Sequence, residues 1–459
     1  MAQMQWRIWW LAAAGKFFEG MMVFMTGVAM PLINWEFHLT ELQRGMVGAA
    51  ALFGILIGAS ALGGLADHFG RKMMFIAEMA LFTLFLILVA LSPNVTCLII
   101  FLFGLGLALG CDYPTAHLII SESIPTRARG CLVLSAFGFQ ALGALAGTAI
   151  GFIILKHDVS AGDWRWMYAC AIIPALIVLV GRFFVPQSPH WLMEKGRVEE
   201  AEEAMLVLLS RQPAYPHKIT LFKAPEPPTS EKQKKEPSLL KLFKKKNRRA
   251  TILASLPWFL QDLGTYGIGI FTPTILAATI GMAQGSPRNL TDLIYRDMLS
   301  AKGAAAIDTL LIVGIFAAIY FADRLGRITL QILGFIGCAL GLAVAAASTH
   351  FQGSLKMVLI FSGFLIFNFM TNMGPNAMTY LLAGEVFPTK IRGVGAGFAA
   401  SFAKMGAVLT AFLFPLLLKD IGTQTLLLAL VGTSLLGALV TWIFRIETNG
   451  VSIEKLGKE

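Results

Sequence analysis

Apolar positions along this chain fall into long runs rather than into the narrow stripe of a water-facing helix. Runs long enough to cross about 30 Å of hydrocarbon as helices lie near 8–33, 45–66, 73–92, 96–121, 131–154 and 165–186. A polar stretch follows from about 187 to 249. Six more runs lie near 250–281, 303–321, 328–348, 354–383, 393–418 and 423–445. Backbone surrounded by lipid has to satisfy its own hydrogen bonds, so each run predicts a helix. The pattern predicts an all-α integral membrane protein with twelve transmembrane helices in two bundles of six. The expected divisions are an N-terminal bundle over 1–186, a linker over 187–249 and a C-terminal bundle with a short tail over 250–459. Within the linker, PQSPHWLMEKGRVEEAEEAMLVLL reads as an amphipathic surface helix and KLFKKKNRR as a basic segment at the anionic inner leaflet.

Composition agrees with lipid as the solvent. Of 459 residues, 56% are hydrophobic and 14% charged, and the mean hydropathy is +0.70, which excludes a string of water-soluble domains. The net charge of +10 points to orientation rather than to nucleic acid. Arg71, Lys72, Arg127, Arg129, the linker, Arg324, Arg327, Lys390 and Arg392 all fall in loops after even-numbered helices, which places those loops and both termini in the cytoplasm. The five cysteines lie in apolar runs and read as small buried side chains. No cleavage site follows the first run, so that run reads as a mature helix. Compact length and short termini point to a bacterial inner membrane, and a monomer is expected.

The two halves repeat. ESIPTRARG at 122–130 and EVFPTKIRG at 385–393 share Glu, Pro, Thr, Arg and Gly at equal spacing, and GGLADHFGRK at 63–72 and YFADRLGRIT at 320–329 share A-D-x-x-G-R. Two parallel repeats place a substrate between them. Gly63, Asp67, Gly70, Arg71 and Lys72 resemble the signature of the major facilitator superfamily, while PQSPHWL and RIETNGVSIEKL resemble linker and carboxyl-terminal signatures of the sugar porters. The charged members, Asp67, Arg71, Glu122, Arg129, Asp323, Arg327, Glu385 and Arg392, read as a cytoplasmic gating network that clasps the two bundles in one state and releases them in the other.

Ionisable and strongly polar groups inside the runs are costly in lipid unless they face a partner or a wet cavity. Those singled out are Lys16, Glu19, Glu78, Asp112, His117 and Gln140, then Asp262, Asn368, Asn372, Asn376 and Lys404. Trp258, Asp262 and Tyr266 recur every four residues, which lines one helix face as a cavity wall. Asp112 and Tyr113 are neighbours about 100° apart on their helix and face different surroundings. His117 reads as a packed, hydrogen-bonded histidine.

GCDYP, FQ at 139–140, WFLQDLGTYG and NMGPNAMTYLLAGEVFPTKIRG together resemble the phosphate:proton symporter family. The resemblance implies a phosphate site from Tyr113, Gln140, Trp258, Asp262, Tyr266, Asn376 and Lys404. It also implies proton-coupling carboxylates at Glu19, Glu78 and Asp112. The first helix departs from that family, with one glutamate in KFFEGMMVF where aspartates are usual. The expected partners are phosphate, protons and the bilayer, with no cofactor and no metal. A sugar or small organic acid is the alternative cargo. A sensor or an enzyme acting on lipid phosphates has little to stand on, because no nucleophile set, metal cluster or P-loop is recognisable.

Overall fold

The computed structural model describes residues 1–62, 68–124, 126–157, 160–211, 216, 218–221, 238–281, 289–388 and 391–448. The described residues form twelve membrane-length helical spans. In the first half these are α1 (Gln3–Phe37), α2 (Glu41–Ile57, extended by a π-turn over Gly58–Leu62), α3 (Arg71–Ala90), α4 (Val95–Ser123), α5 (Thr126–His157) and α6 (Ala161–Phe183). In the second half they are α7 (Arg248–Gly281), α8 (Leu290–Leu325), α9 (Arg327–Ala347), α10 (Gly353–Glu385), α11 (392–421) and α12 (423–444). Pro189–Glu194 and Val198–Leu209 form two short helices after α6.

Local chemistry sets the helix ends. Thr40 caps α2 by accepting from the Gln43 amide, Asn94 caps α4 and Asn289 caps α8, each supplying an oxygen to an otherwise unpaired amide. Gly70 and Gly326 precede α3 and α9 with φ of 96° and 83°, a left-handed backbone that favours glycine. They are the glycine of A-D-x-x-G-R in each repeat. Pro375 breaks α10 at Gly374, because proline supplies no amide to continue the ladder.

Within the first half, α1 and α5 pack backbone to backbone. A Cβ on Gly20 would strike the Gln140 carbonyl, and one on Gly143 would strike the Phe17 carbonyl. Small residues allow such approach where lipid gives no hydrophobic drive between helices. Between the halves, α1 meets α7, α2 meets α11 and α5 meets α8. The outer parts of α1 and α7 touch closely, with Gly27 against the Ile270 carbonyl and the Phe24 ring against Gly269. Outward-facing Ile173, Ile177, Val180, Phe184, Phe316 and Leu340 are exposed, as surfaces solvated by acyl chains should be.

Candidate functional site

The α1–α5 packing puts Glu19 beside Gln140, and the α1–α7 contact brings the α7 cavity face against both. Lys404 on α11 is the hub. Its Nζ donates to the Tyr266 hydroxyl and lies 3.3 Å from Glu19 Oε1 and 3.6 Å from Asp262 Oδ2. Tyr266 in turn donates to Glu19 Oε1 at 3.2 Å. Gln140 Nε2 donates to the Tyr266 oxygen at 3.1 Å and reaches Glu19 Oε1 at 3.4 Å. The other Glu19 oxygen holds Lys16 Nζ at 2.6 Å. Glu19, Asp262, Tyr266 and Lys404 are all buried.

Tyr266 is saturated by this arrangement, with its proton given to Glu19 and its oxygen accepting from Lys404 and Gln140. Asp262 is not. Its Oδ2 makes no hydrogen bond among the described residues, and Lys404 is within ion-pair reach but beyond hydrogen-bonding distance. Two ammonium groups and two carboxylates share the cluster, so its formal charge with all four ionised is zero.

Four of the seven residues assigned to the substrate site, Gln140, Asp262, Tyr266 and Lys404, come together, and Glu19 joins them. Trp258, one turn from Asp262, is buried against Tyr380 in an edge-to-face contact with centroids 6.2 Å apart. Tyr380 stacks on Phe137 of the first half at 4.6 Å, which closes an aromatic wall next to the cluster. Asn376 turns elsewhere: its Nδ2 donates to Asn372 Oδ1 at 2.6 Å, and Asn372 donates to the Leu311 carbonyl at 2.9 Å. The side chains of Tyr113 and His117 lie outside the described residues.

The remaining two acids assigned to proton coupling form an adjoining buried group. Asp112 Oδ1 pairs with Arg182 at 2.6 Å. Arg182 also donates to the Phe75 carbonyl at 2.7 Å and lies 3.6 Å over the Phe75 ring. Glu78 Oε1 accepts from Thr115 at 2.7 Å, and its Oε2 has no hydrogen-bond partner among the described residues. The Asp112 carboxylate fills the space a Cβ on Gly15 would take, so this group borders Lys16. Arg182 escaped sequence reasoning because it sits near the end of an apolar run and resembles a topology marker. The apolar FFV that follows it before Pro186 is the signal that it lies inside the bundle.

Among the described residues, the cytoplasmic charges form one ion-paired group in each half. Arg71 lies 3.4 Å from Glu122, Arg327 lies 2.7 Å from Asp323 and 3.4 Å from Glu385, and each pair stays inside its own half. What each network captures is the chain leaving that half. Ser188 donates to Glu122 at 2.5 Å, and the Gln187 side chain accepts from the Lys72 amide at 2.9 Å. Thr448 donates to Glu385 at 2.5 Å, and Glu447 accepts from the Arg327 amide at 3.3 Å. The reason is register: the repeated A-D-x-x-G-R and E-x-x-P-T-x-x-R-G segments come from neighbouring helices of the same repeat. Asp67 and the side chains of Arg129 and Arg392 lie outside the described residues.

The solved structures that share this architecture include a xylose transporter. An inward-open structure of the xylose transporter XylE from Escherichia coli superposes with a TM-score of 0.77, covering 99% of each chain at 22% identity. The putative metabolite transport protein YaaU of Escherichia coli is 27% identical over 97% of this chain and 93% of its own length. The repressible high-affinity phosphate permease of Neurospora crassa is 28% identical, over 78% of this chain and 67% of its own length. The Sugar (and other) transporter family matches residues 9–459; the chain belongs to that family and is a multi-pass membrane transporter of the major facilitator fold rather than an enzyme.

Proposed function

We propose that this protein imports inorganic phosphate together with protons by alternating access. The observation that carries the reading is the charge-balanced cluster of Lys16, Glu19, Asp262 and Lys404 shared by both halves. An anion entering a neutral cluster leaves it negative unless a proton comes too. Like charges at about 4 Å repel by roughly 4 kcal/mol at an effective dielectric of 20. Asp262, with an oxygen already lacking a hydrogen bond, is the group placed to take that proton and then donate to the substrate. Dihydrogen phosphate can equally donate one of its own hydroxyls to the ionised carboxylate. Either route links anion binding to proton uptake. Sulfate carries no proton to offer, so Asp262 disfavours it.

Lys404 then meets the anion, while Gln140 and Tyr266 turn their donors from Glu19 to the anion and orient it through neutral hydrogen bonds. Glu78 and Asp112 provide further carboxylates on the path toward Lys16. The Arg71–Glu122 and Arg327–Glu385 groups act as gates by setting how firmly each half holds its trailing segment, which sits on the cytoplasmic side in a bacterial inner membrane.

Proteoliposomes test this directly: an inward proton gradient should drive accumulation of radiolabelled phosphate, and collapse of the gradient should abolish it. No uptake by correctly folded protein beside a working control sinks the proposal. A second reading, a small organic acid, draws on the Trp258–Tyr380–Phe137 wall beside Lys404, which would suit an anion with an apolar body. A sugar fits a cluster of four ionised groups less well. Competition of phosphate uptake by sulfate, hexoses and small carboxylates separates the three.

A further inference from the structure

A cavity of about 510 Å³ opens at the end of the second half where α7 and α9 begin and α12 stops. Its polar lining is Arg249 of α7 with Arg445 and Glu447 just beyond α12, and its apolar walls include Ile332 and Leu333 of α9 and Trp442 of α12. No residue of the central cluster lines it. Arg249 donates from Nε to the Phe444 carbonyl at 3.4 Å and from Nη2 to the Arg445 carbonyl at 2.8 Å. Those bonds cap the last carbonyls of α12 and use two of the five guanidinium N–H groups. The Arg445 guanidinium lies 5.8 Å from the Trp442 ring centroid and has no hydrogen bond or ion pair among the described residues. Glu447 is turned to the start of α9, where it accepts from the Arg327 amide. With these three groups ionised, the lining carries a formal charge of +1.

The apolar walls continue past the cavity. On α9, Leu333, Ile336 and Leu340 follow Thr329 along one face by helical spacing, and on α12 Leu435, Leu439 and Trp442 do the same; all six apolar side chains are about half exposed. Between the two faces the helices are closed together, with Gln331 donating to Thr441 at 2.8 Å and the Phe335 ring filling the space of a Cβ on Gly437. A shallow apolar furrow therefore leads out of the cavity. From Thr329 to Leu340 it runs about 16 Å at 1.5 Å per residue, roughly half of a 30 Å hydrocarbon core. That is the depth reached by the acyl chains of one leaflet. Trp442 at the mouth of the furrow suits the headgroup level, where tryptophan is enriched.

We propose that this cavity binds the headgroup of an anionic glycerophospholipid, whose acyl chains lie in the α9–α12 furrow. A phosphodiester carries one negative charge, which matches the +1 of the lining, and guanidinium groups suit its paired oxygens. Phosphatidylethanolamine brings an ammonium to a site that already holds two cations, so phosphatidylglycerol is preferred. Inorganic phosphate has no apolar part to fill the furrow. The bound lipid bridges α7, α9 and the end of α12 beside the segment that Thr448 fastens to Glu385. Lipid composition thereby sets how firmly the second half is closed, whatever the cargo.

Native mass spectrometry of the full-length protein in mild detergent tests this, with phosphatidylglycerol and phosphatidylethanolamine of identical chains titrated separately. The first phosphatidylglycerol should bind more tightly than the first phosphatidylethanolamine. Arg249→Gln combined with Arg445→Gln should weaken it about thirty-fold, at roughly fivefold per basic group. Because Arg249 also caps α12, Arg445→Gln alone is the cleaner variant and should cost about fivefold. Arg324→Gln, at an exposed arginine of the same end that does not line the cavity, should leave binding unchanged. Equal losses in Arg324→Gln and Arg445→Gln would reveal diffuse charge attraction and overturn the proposal, as would absence of any preference between the two lipids. Displacement of the lipid by inorganic phosphate would make the cavity a free-anion site and overturn it too. A chain ended after Thr448 should bind like the full-length protein; markedly tighter binding would identify the chain's own tail as the occupant and sink the lipid assignment.

Discussion

Lys404 touches groups from both halves, and removing it leaves Glu19 and Asp262 facing each other across the cluster with Lys16 as the remaining cation. Truncating one partner of a buried ion pair costs about 3–5 kcal/mol. Lys404→Ala should therefore weaken phosphate binding roughly 100-fold or more by calorimetry and lower the thermal midpoint in detergent. Asp262→Asn is expected to behave differently. It keeps the shape of the side chain but cannot exchange a proton, so gradient-driven accumulation should disappear while phosphate counterflow persists. Cys111→Ala, at a buried cysteine outside the cluster, should leave both assays near wild type; equal losses in the two variants would undo the site assignment. At this scale the sequence made Gln140, Asp262, Tyr266 and Lys404 legible because a polar group inside an apolar run has few cheap explanations. It misdirected Asn376, whose partner Asn372 lies one turn away on the same helix. Arg182 obeys the same rule of polar groups in apolar surroundings and could have been found by applying it to every residue of each run.

Helices, rather than loops, carry the cluster, and their spacing is set by what they lack. Gly20 and Gly143 bring the α1 and α5 backbones together, and that approach is what sets Glu19 within reach of Gln140. Gly20→Leu would place side-chain atoms on the Gln140 carbonyl, and overpacking of this kind costs about 1–3 kcal/mol. The expected result is a lower thermal midpoint together with loss of uptake, whereas Gly432→Ala, where nothing stands within 4 Å of an added Cβ, should change neither. Apolar runs revealed how many helices to expect, since burial in lipid demands length above all. They did not reveal which glycines mark helix contacts, because a glycine in a run looks the same whether it faces a neighbouring backbone or acyl chains. The break in α10 was readable in retrospect from Gly374-Pro375, the one place where that run meets proline in mid-span.

At the scale of the molecule, the halves share an architecture and divide the chemistry. The first half contributes Lys16, Glu19 and Gln140 to the central cluster and holds the Glu78, Asp112 and Arg182 group. The second contributes Asp262, Tyr266 and Lys404. Repetition of E-x-x-P-T-x-x-R-G told where matching helix ends lie, but a repeat compares positions along the chain and carries no statement of which copy touches which. Among the described residues, Arg71 pairs with Glu122 and Arg327 with Glu385, each inside its own bundle. Ser188 on Glu122 and Thr448 on Glu385 close each bundle with the segment that emerges from it. Each bundle thus brings its own fastening. A polypeptide divided between residues 212 and 238 would leave both fastenings whole, one on each fragment. Co-expressed as two pieces, the halves should be recovered together by affinity purification of either one and should regain uptake in vesicles, whereas the second piece ended at 444, before Glu447 and Thr448, should not.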